Sequence, residues 1–130
     1  MQDIIDSTLA AGRAVHTPTD VRDAETLPWQ DHPAFAGVRL RHLVTAADTQ
    51  GQLSCHIVRL DPGASLAGHV HDGQWELHEV VCGSGTAALA GRKADYAPGV
   101  TAVIPRGTPH AVTAGEQGLC LLAKFFPALL

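Results

Sequence analysis

From Val38 onward the chain alternates apolar and polar positions in short runs that end at glycine and proline. Val38, Leu40, His42 and Val44 share one face of a first strand, with Arg39 and Arg41 on the other. Gln50-Gly51 then turns the chain into residues 53–60, where His56, Val58 and Leu60 separate from Cys55, Ile57 and Arg59, and Asp61-Pro62-Gly63 closes the run. A returning strand is predicted over 74–82. After Gly83-Ser84-Gly85 a hairpin follows, up through 86–90, turning at Gly91-Arg92-Lys93 and back through 94–97. The β-branched run 100–104 and a closing apolar strand over 119–126 complete the series. Strand after strand with short turns predicts an all-β fold, a closed double-sheet barrel or jelly roll. Ahead of it, 2–11 are predicted to form a short helix carrying Ile4, Ile5 and Leu9 and stopped by Gly12, and 15–31 are polar and broken by Pro18 and Pro28. The expected division is an N-terminal extension, 1–37, packing on the barrel or on a partner subunit, and a barrel, 38–130.

Composition narrows the classes. A chain of 130 residues, 45% hydrophobic with 13 glycines and 8 prolines, suits one turn-rich domain with a single core. No internal repeat is visible, so one barrel is expected. The net charge is −4 and the only lysines are Lys93 and Lys124, which excludes the clustered basic stripe of a nucleic-acid surface. No 18-residue apolar run occurs, and MQDIIDSTL lacks the positive start of a signal peptide, so neither a membrane role nor export is expected. Cys55, Cys82 and Cys120 form no CxxC pair and read as buried thiols in a reducing cytoplasm.

Candidate chemistry is concentrated in GASLAGHVHDGQWELHEVVCG, residues 63–83. His69 and His71, two apart on a strand, point the same way, and a turn at Asp72-Gly73 brings Glu76 back beside them. Two imidazoles and a carboxylate suit a divalent transition metal: Fe, Mn, Ni, Cu or Zn. Further on, GVTAVIPRGTPH (99–110) reads as a strand, a Pro105–Gly107 turn and a strand opened by His110, which can deliver a fourth ligand.

Written as spacings, the two blocks are G-x5-H-x-H-x4-E-x6-G and G-x5-P-x-G-x2-H, in that order. They resemble the paired motifs of the cupin superfamily, and over 38–126 the chain looks like a small single-domain cupin. The lead-in of Trp29, Pro33, Gly37-Val38 and Leu40 is similar to that of a cupin subgroup containing zinc-binding anti-sigma-factor domains and small dioxygenase-like proteins. One departure is Ala114, where the second motif often ends in an asparagine that supports the turn. The resemblance implies a jelly-roll barrel and one divalent metal on His69, His71, Glu76 and His110.

Other histidines have two readings each. His78 is expected on the face of Glu76, as a catalytic base, a hydrogen-bond donor to a ligand residue or a fifth ligand. His42 and His56 are expected as hydrogen-bonded core residues, with a pocket-lining role as the alternative, provided no bulge intervenes. His16 and His32 lie outside the expected barrel and read as solvated, as does Arg106 near its mouth. Trp75 should face away from Glu76 and pack on the sheet or an interface. An interior lined by Val58, Leu60, Val80, Val103 and Ala111 would take a small organic molecule chelating the metal. The expected activity is that of an Fe(II)-dependent dioxygenase or a metal-dependent lyase or isomerase. The alternative is a non-catalytic metal or metabolite sensor. The apolar tail Phe125-Phe126-Pro127-Ala128-Leu129-Leu130 and the N-terminal segment further suggest a homodimer.

Overall fold

A computed structural model describes residues 14–130, so the helix expected over 2–11 lies outside the described residues. A short hairpin, β1 (Ala14–His16) and β2 (Val21–Asp23), leads through a 3₁₀ turn at Ala24–Thr26 to β3 (Gln30–Asp31) and β4 (Val38–Val44). Helix α1 (Ala46–Thr49) precedes β5 (Ser54–Leu60) and β6 (Ser65–His69). Then come β7 (Trp75–Leu89), β8 (Arg92–Tyr96), β9 (Thr101–Ile104) and β10 (His110–Phe126).

All strand pairs are antiparallel, and two long strands organise them. The first half of β7 pairs with β9 and with the second half of β10, which continues to β5, β4 and β3. The second half of β7 pairs with β8 and with the first half of β10, which continues to β6. β7 and β10 therefore belong to both layers of a jelly roll and carry the bend between them. That bend lies where a turn was expected. The glycines at 83–85 do not interrupt β7, and the hairpin turn comes at Ala90-Gly91, before Arg92. Gly83 has φ +76°, and a Cβ there would meet the Gly118 carbonyl oxygen at 2.2 Å, so glycine is needed for close strand approach inside a continuous pair. Gly118, also at positive φ, sits at the register shift in β10, which joins the strand expected to open at His110 to the one expected over 119–126.

The space between the layers is filled by Val58, Leu60, Val80, Val112, Leu119 and Leu121, all buried. A second cluster, with Leu43, Cys55, Ile57, Cys82 and Cys120, lies on the other face of β5 and is covered by Val15, Leu27 and Trp29 of the N-terminal segment. All three cysteines are buried and none is in a disulfide. Gln30 and Asp31, ahead of the expected barrel start, already join the sheet against Leu40 and Arg39. Three face expectations are corrected. A register shift after His42 moves Val44 away from Val38 and Leu40 and into the second cluster. In β9, Ala102 and Ile104 face inward while Val103 is 59% exposed. Ala111 is half-buried, and its neighbour Val112 fills the core position. Among the described residues no helix is long and apolar enough to cross a membrane.

Candidate metal centre

The strand pairing explains why residues up to 41 positions apart converge. β6 ends at His69 directly opposite His110, the first residue of β10. His71 follows in the connecting loop, anchored by its carbonyl to the Gly107 N–H of the Pro105–Gly107 turn, and Glu76 sits on β7 opposite Phe125. One ligand atom from each of His69, His71, Glu76 and His110 lies within 4.8 Å of the other three. Glu76 Oε1 is 3.6 Å from His71 Nε2 and 3.1 Å from His110 Nε2.

Backbone carbonyls set the tautomers. His69 Nδ1 lies 3.1 Å from the Ala67 carbonyl oxygen and His110 Nδ1 lies 2.9 Å from that of Thr108. Each Nδ1 therefore carries the proton and donates, leaving the Nε2 lone pair to face the cluster. Glu76 Oε1 and His110 Nε2 are both buried with no hydrogen-bond partner of adequate geometry. Two lone-pair atoms 3.1 Å apart in a buried site repel unless a cation lies between them. The chain itself can supply only a proton. Burial disfavours a charged His110, yet the carboxylate of Glu76 outweighs it and holds that ring's pKa above the ordinary value. His69 and His71 are instead pushed down, chiefly by burial, and so are kept neutral, as ligation requires. The donor set, the orphaned pair and the tautomers all fit a divalent transition metal.

Behind the cluster, His78 is 1% exposed and Glu76 5%. His78 Nε2 is 2.6 Å from Glu76 Oε2, and His78 Nδ1 is 2.8 Å from the Tyr96 hydroxyl. Burial would raise the Glu76 pKa, but the neighbouring His110 and His78 rings outweigh it and hold it well below the usual carboxylate range. An ionised carboxylate only accepts, so His78 donates from Nε2 and accepts the Tyr96 O–H at Nδ1. Burial, and then Glu76, push the Tyr96 hydroxyl far up, keeping it a donor. His78 thus shares the cluster's side of β7, as expected, but both its ring nitrogens are engaged and it does not line the pocket. Tyr96 is a participant the sequence reading missed. Its signal was a lone tyrosine at the end of a strand, since a buried hydroxyl needs a partner.

The cluster opens into a cavity of about 70 Å³ whose apolar wall is Leu40, Val58, Leu66, Ala123, Phe125 and Leu129. His32 also lines it, which corrects the expectation of a solvated side chain. Residues 30–31 pair with β4 and the His32 N–H donates to the Val38 carbonyl, so this loop is held against the barrel mouth. The His32 ring packs at 4.8 Å from Phe35, whose ring is 6.2 Å from that of His69, and burial lowers its pKa. His42 and His56 do not line this cavity. Their Nδ1 atoms are 2.8 Å apart, His56 Nε2 is 2.9 Å from Ser54 Oγ, and His42 Nε2 is 3.3 Å from Gln30 Oε1. The Leu129 N–H donates to Ser54 Oγ, so they are the hydrogen-bonded core residues expected, tying the C-terminal tail to β5. Arg106 and Trp75 are exposed.

A search of curated proteins found no match. Among solved structures the chain is similar to KdgF from Halomonas sp., with 27% identity, TM-score 0.69, and coverage of 77% of this chain and 86% of that one. It is similar to a protein from Thermotoga maritima described as a predicted oxalate decarboxylase, at 20% identity and TM-score 0.74, covering 80% and 96%. A third is an RmlC-like cupin from Shewanella frigidimarina, at 19% identity and TM-score 0.72, covering 90% and 96%. The latter two likenesses, at such identities, show the fold. The family model described as "Cupin domain" matches residues 56–123, just over half of the chain and the part that holds all four clustered residues. On that match, and on the double-layered barrel around the cluster, the chain belongs to the cupin-domain family.

Proposed function

We propose that this chain is a metal-dependent enzyme, an Fe(II)-type dioxygenase, acting on a small oxygen-rich molecule at the cluster of His69, His71, Glu76 and His110. The observation that carries the reading is the facing pair of orphaned buried atoms, Glu76 Oε1 and His110 Nε2, at the end of an apolar cavity. The three imidazoles would hold the ion through Nε2 and Glu76 through Oε1. When bound, such an ion supplies Lewis-acid polarisation of a chelated oxygen and, as Fe(II), a route to dioxygen.

The remaining work falls to the chain. Tyr96 and His78 form a donor series that fixes Glu76 by Oε2, turning Oε1 towards the histidines and stabilising its charge. We assign His78 this positioning role in place of the base expected from its strand position. Leu40, Val58, Leu66 and Phe125 exclude water around the guest, which strengthens every polar contact inside. Among the described residues the cavity lining holds no Lys, Asp or further Glu beside Glu76, and the acceptor nitrogen of His32, Nδ1, is taken by the Ala34 N–H, so the pocket supplies no dedicated proton acceptor. That observation favours a guest that binds already ionised over one that must give a proton to a pocket side chain. It also keeps a second reading open, a non-catalytic metal or metabolite sensor.

Metal analysis of protein purified without a His tag, followed by oxygen uptake after anaerobic Fe(II) loading, separates them. Oxygen uptake with one of a set of small 1,3-dicarbonyls or enediols supports the dioxygenase. Conversion without oxygen uptake points to the lyase or isomerase. Tight metal binding with no conversion moves the assignment to the sensor. We further infer a homodimer through the exposed apolar strip of Trp75, Val103 and Phe126, which are 45%, 59% and 39% exposed. Three buried cysteines outside any disulfide support residence in a reducing compartment such as the cytoplasm.

A further inference from the structure

Of the described side chains lining the cavity, only one is polar without being part of the four-residue cluster, and it is His32. Its tautomer is determined by its own loop. The Ala34 N–H donates to His32 Nδ1 at 3.0 Å, so Nδ1 bears a lone pair and the ring proton resides on Nε2. Any hydrogen bond His32 offers to a guest is therefore a donation from Nε2–H. Three further constraints bear on what that guest is. At about 70 Å³ the cavity is half the size of one that holds benzene, roughly 150 Å³, so it admits the head of a molecule and not an aromatic ring. Neutral imidazoles with one carboxylate and a divalent ion leave one net positive charge, which a monoanion balances. The wall beyond is apolar, so each further polar atom of the guest needs its own partner.

We propose that His32 is a substrate-binding residue whose Nε2–H donates to the free carboxylate oxygen of a small 2-oxo- or 2-hydroxycarboxylate bound at the cluster. This rests on the metal-dependent reading above and names its substrate class. Such an acid chelates through one carboxylate oxygen and its 2-oxygen, and one anionic oxygen is left over. An apolar wall would leave that oxygen unpaired, and His32 is the side chain that meets it. The arrangement also gives residues 30–37, held to β4 by strand pairing, a part in selecting the guest.

The test is calorimetric titration of Mn(II)-loaded protein with pyruvate and with glycolate, for wild type, His32→Leu and His32→Gln. The metal titration comes first and must be the same for all three. Wild type should then bind the acids, His32→Leu should bind them about tenfold more weakly, and His32→Gln, which keeps an N–H donor, should recover part of the loss. A structural role for the ring would weaken both variants alike. Long-range ¹H–¹⁵N correlation spectra of the metal-free protein should show the Nε2–H tautomer at His32. An Nδ1–H tautomer, equal acid affinity in wild type and His32→Leu, equal losses in the two variants, or a loaded wild type that binds neither acid would each overturn the proposal. Failure of the protein to take up metal is a different result. It refutes the metal-dependent function, and the substrate assignment with it, while the tautomer spectrum still decides whether His32 is a donor.

Discussion

Two groups of histidines lie on either side of Phe125, and they are satisfied in opposite ways. The His56 ring stands 5.6 Å from Phe125 and the His71 ring 5.2 Å. On the His56 side every polar atom has a partner in one consistent order. Leu129 N–H donates to Ser54, the Ser54 hydroxyl to His56 Nε2, His56 Nδ1–H to His42 Nδ1, and His42 Nε2–H to Gln30 Oε1. On the His71 side Glu76 Oε1 and His110 Nε2 face each other without one. A closed polar chain stabilises the fold and asks for nothing more, whereas an open one of the same residue type calls for a ligand. Histidine count and burial do not separate a structural cluster from a binding cluster. The unmet valence does.

The largest break in the comparison comes from Glu76→Ala, which should weaken Zn(II) or Mn(II) binding by more than the roughly 10–100-fold cost of losing an outer partner. Metal titration measures it. His56→Leu, on the satisfied side, should leave that titration unchanged.

Acid should distinguish the groups next. Burial, with help from His42, lowers the His56 pKa from 6.5 to about 4, so the folded protein keeps this ring neutral while the unfolded chain takes up a proton. The stability this neutrality contributes is complete above pH 6.5 and is lost as the pH falls towards 4. The total is on the order of 3 kcal/mol. His32, His42, His69 and His71, also lowered by burial, act in the same direction, and His110, raised, acts against it. Urea unfolding of metal-free protein between these pH values should show the decline, and His56→Leu should flatten it. An equally steep decline in the variant would mean that other groups dominate.

The positioning series sharpens the contrast from the other side. His78→Leu should reduce metal affinity roughly 10–100-fold, because Glu76 loses the donor that orients it. Tyr96→Phe acts one bond further out and should cost about fivefold or less, the worth of one neutral hydrogen bond. Equal losses from the two would contradict a series in which Tyr96 works only through His78.

How far the sequence carried the reading depended on whether a residue's role was local. The His69, His71, Glu76 and His110 cluster was legible because strand alternation and short turns determine which way those side chains point. His42 and His56 were legible as core polar groups for the same reason. His32 and Tyr96 were not, since their roles arise from pairing across distant strands: Gln30–Asp31 onto β4 for one and β8 onto β7 for the other. The face of Val44 was lost to a one-residue register shift, which period-two reasoning cannot detect. At Gly83 the glycine signal was real but its cause was misassigned. A turn and a close strand approach both demand glycine, and only the neighbouring Gly118 carbonyl tells them apart.

The most direct test of the central claim is anomalous diffraction from crystals grown with Zn(II) added and recorded at the zinc edge. The account predicts one strong peak per chain, with Nε2 of His69, His71 and His110 and Oε1 of Glu76 all within about 2.0–2.2 Å of it. A fully loaded crystal whose only peaks lie elsewhere, with Glu76 Oε1 and His110 Nε2 still facing each other without an ion, would contradict it.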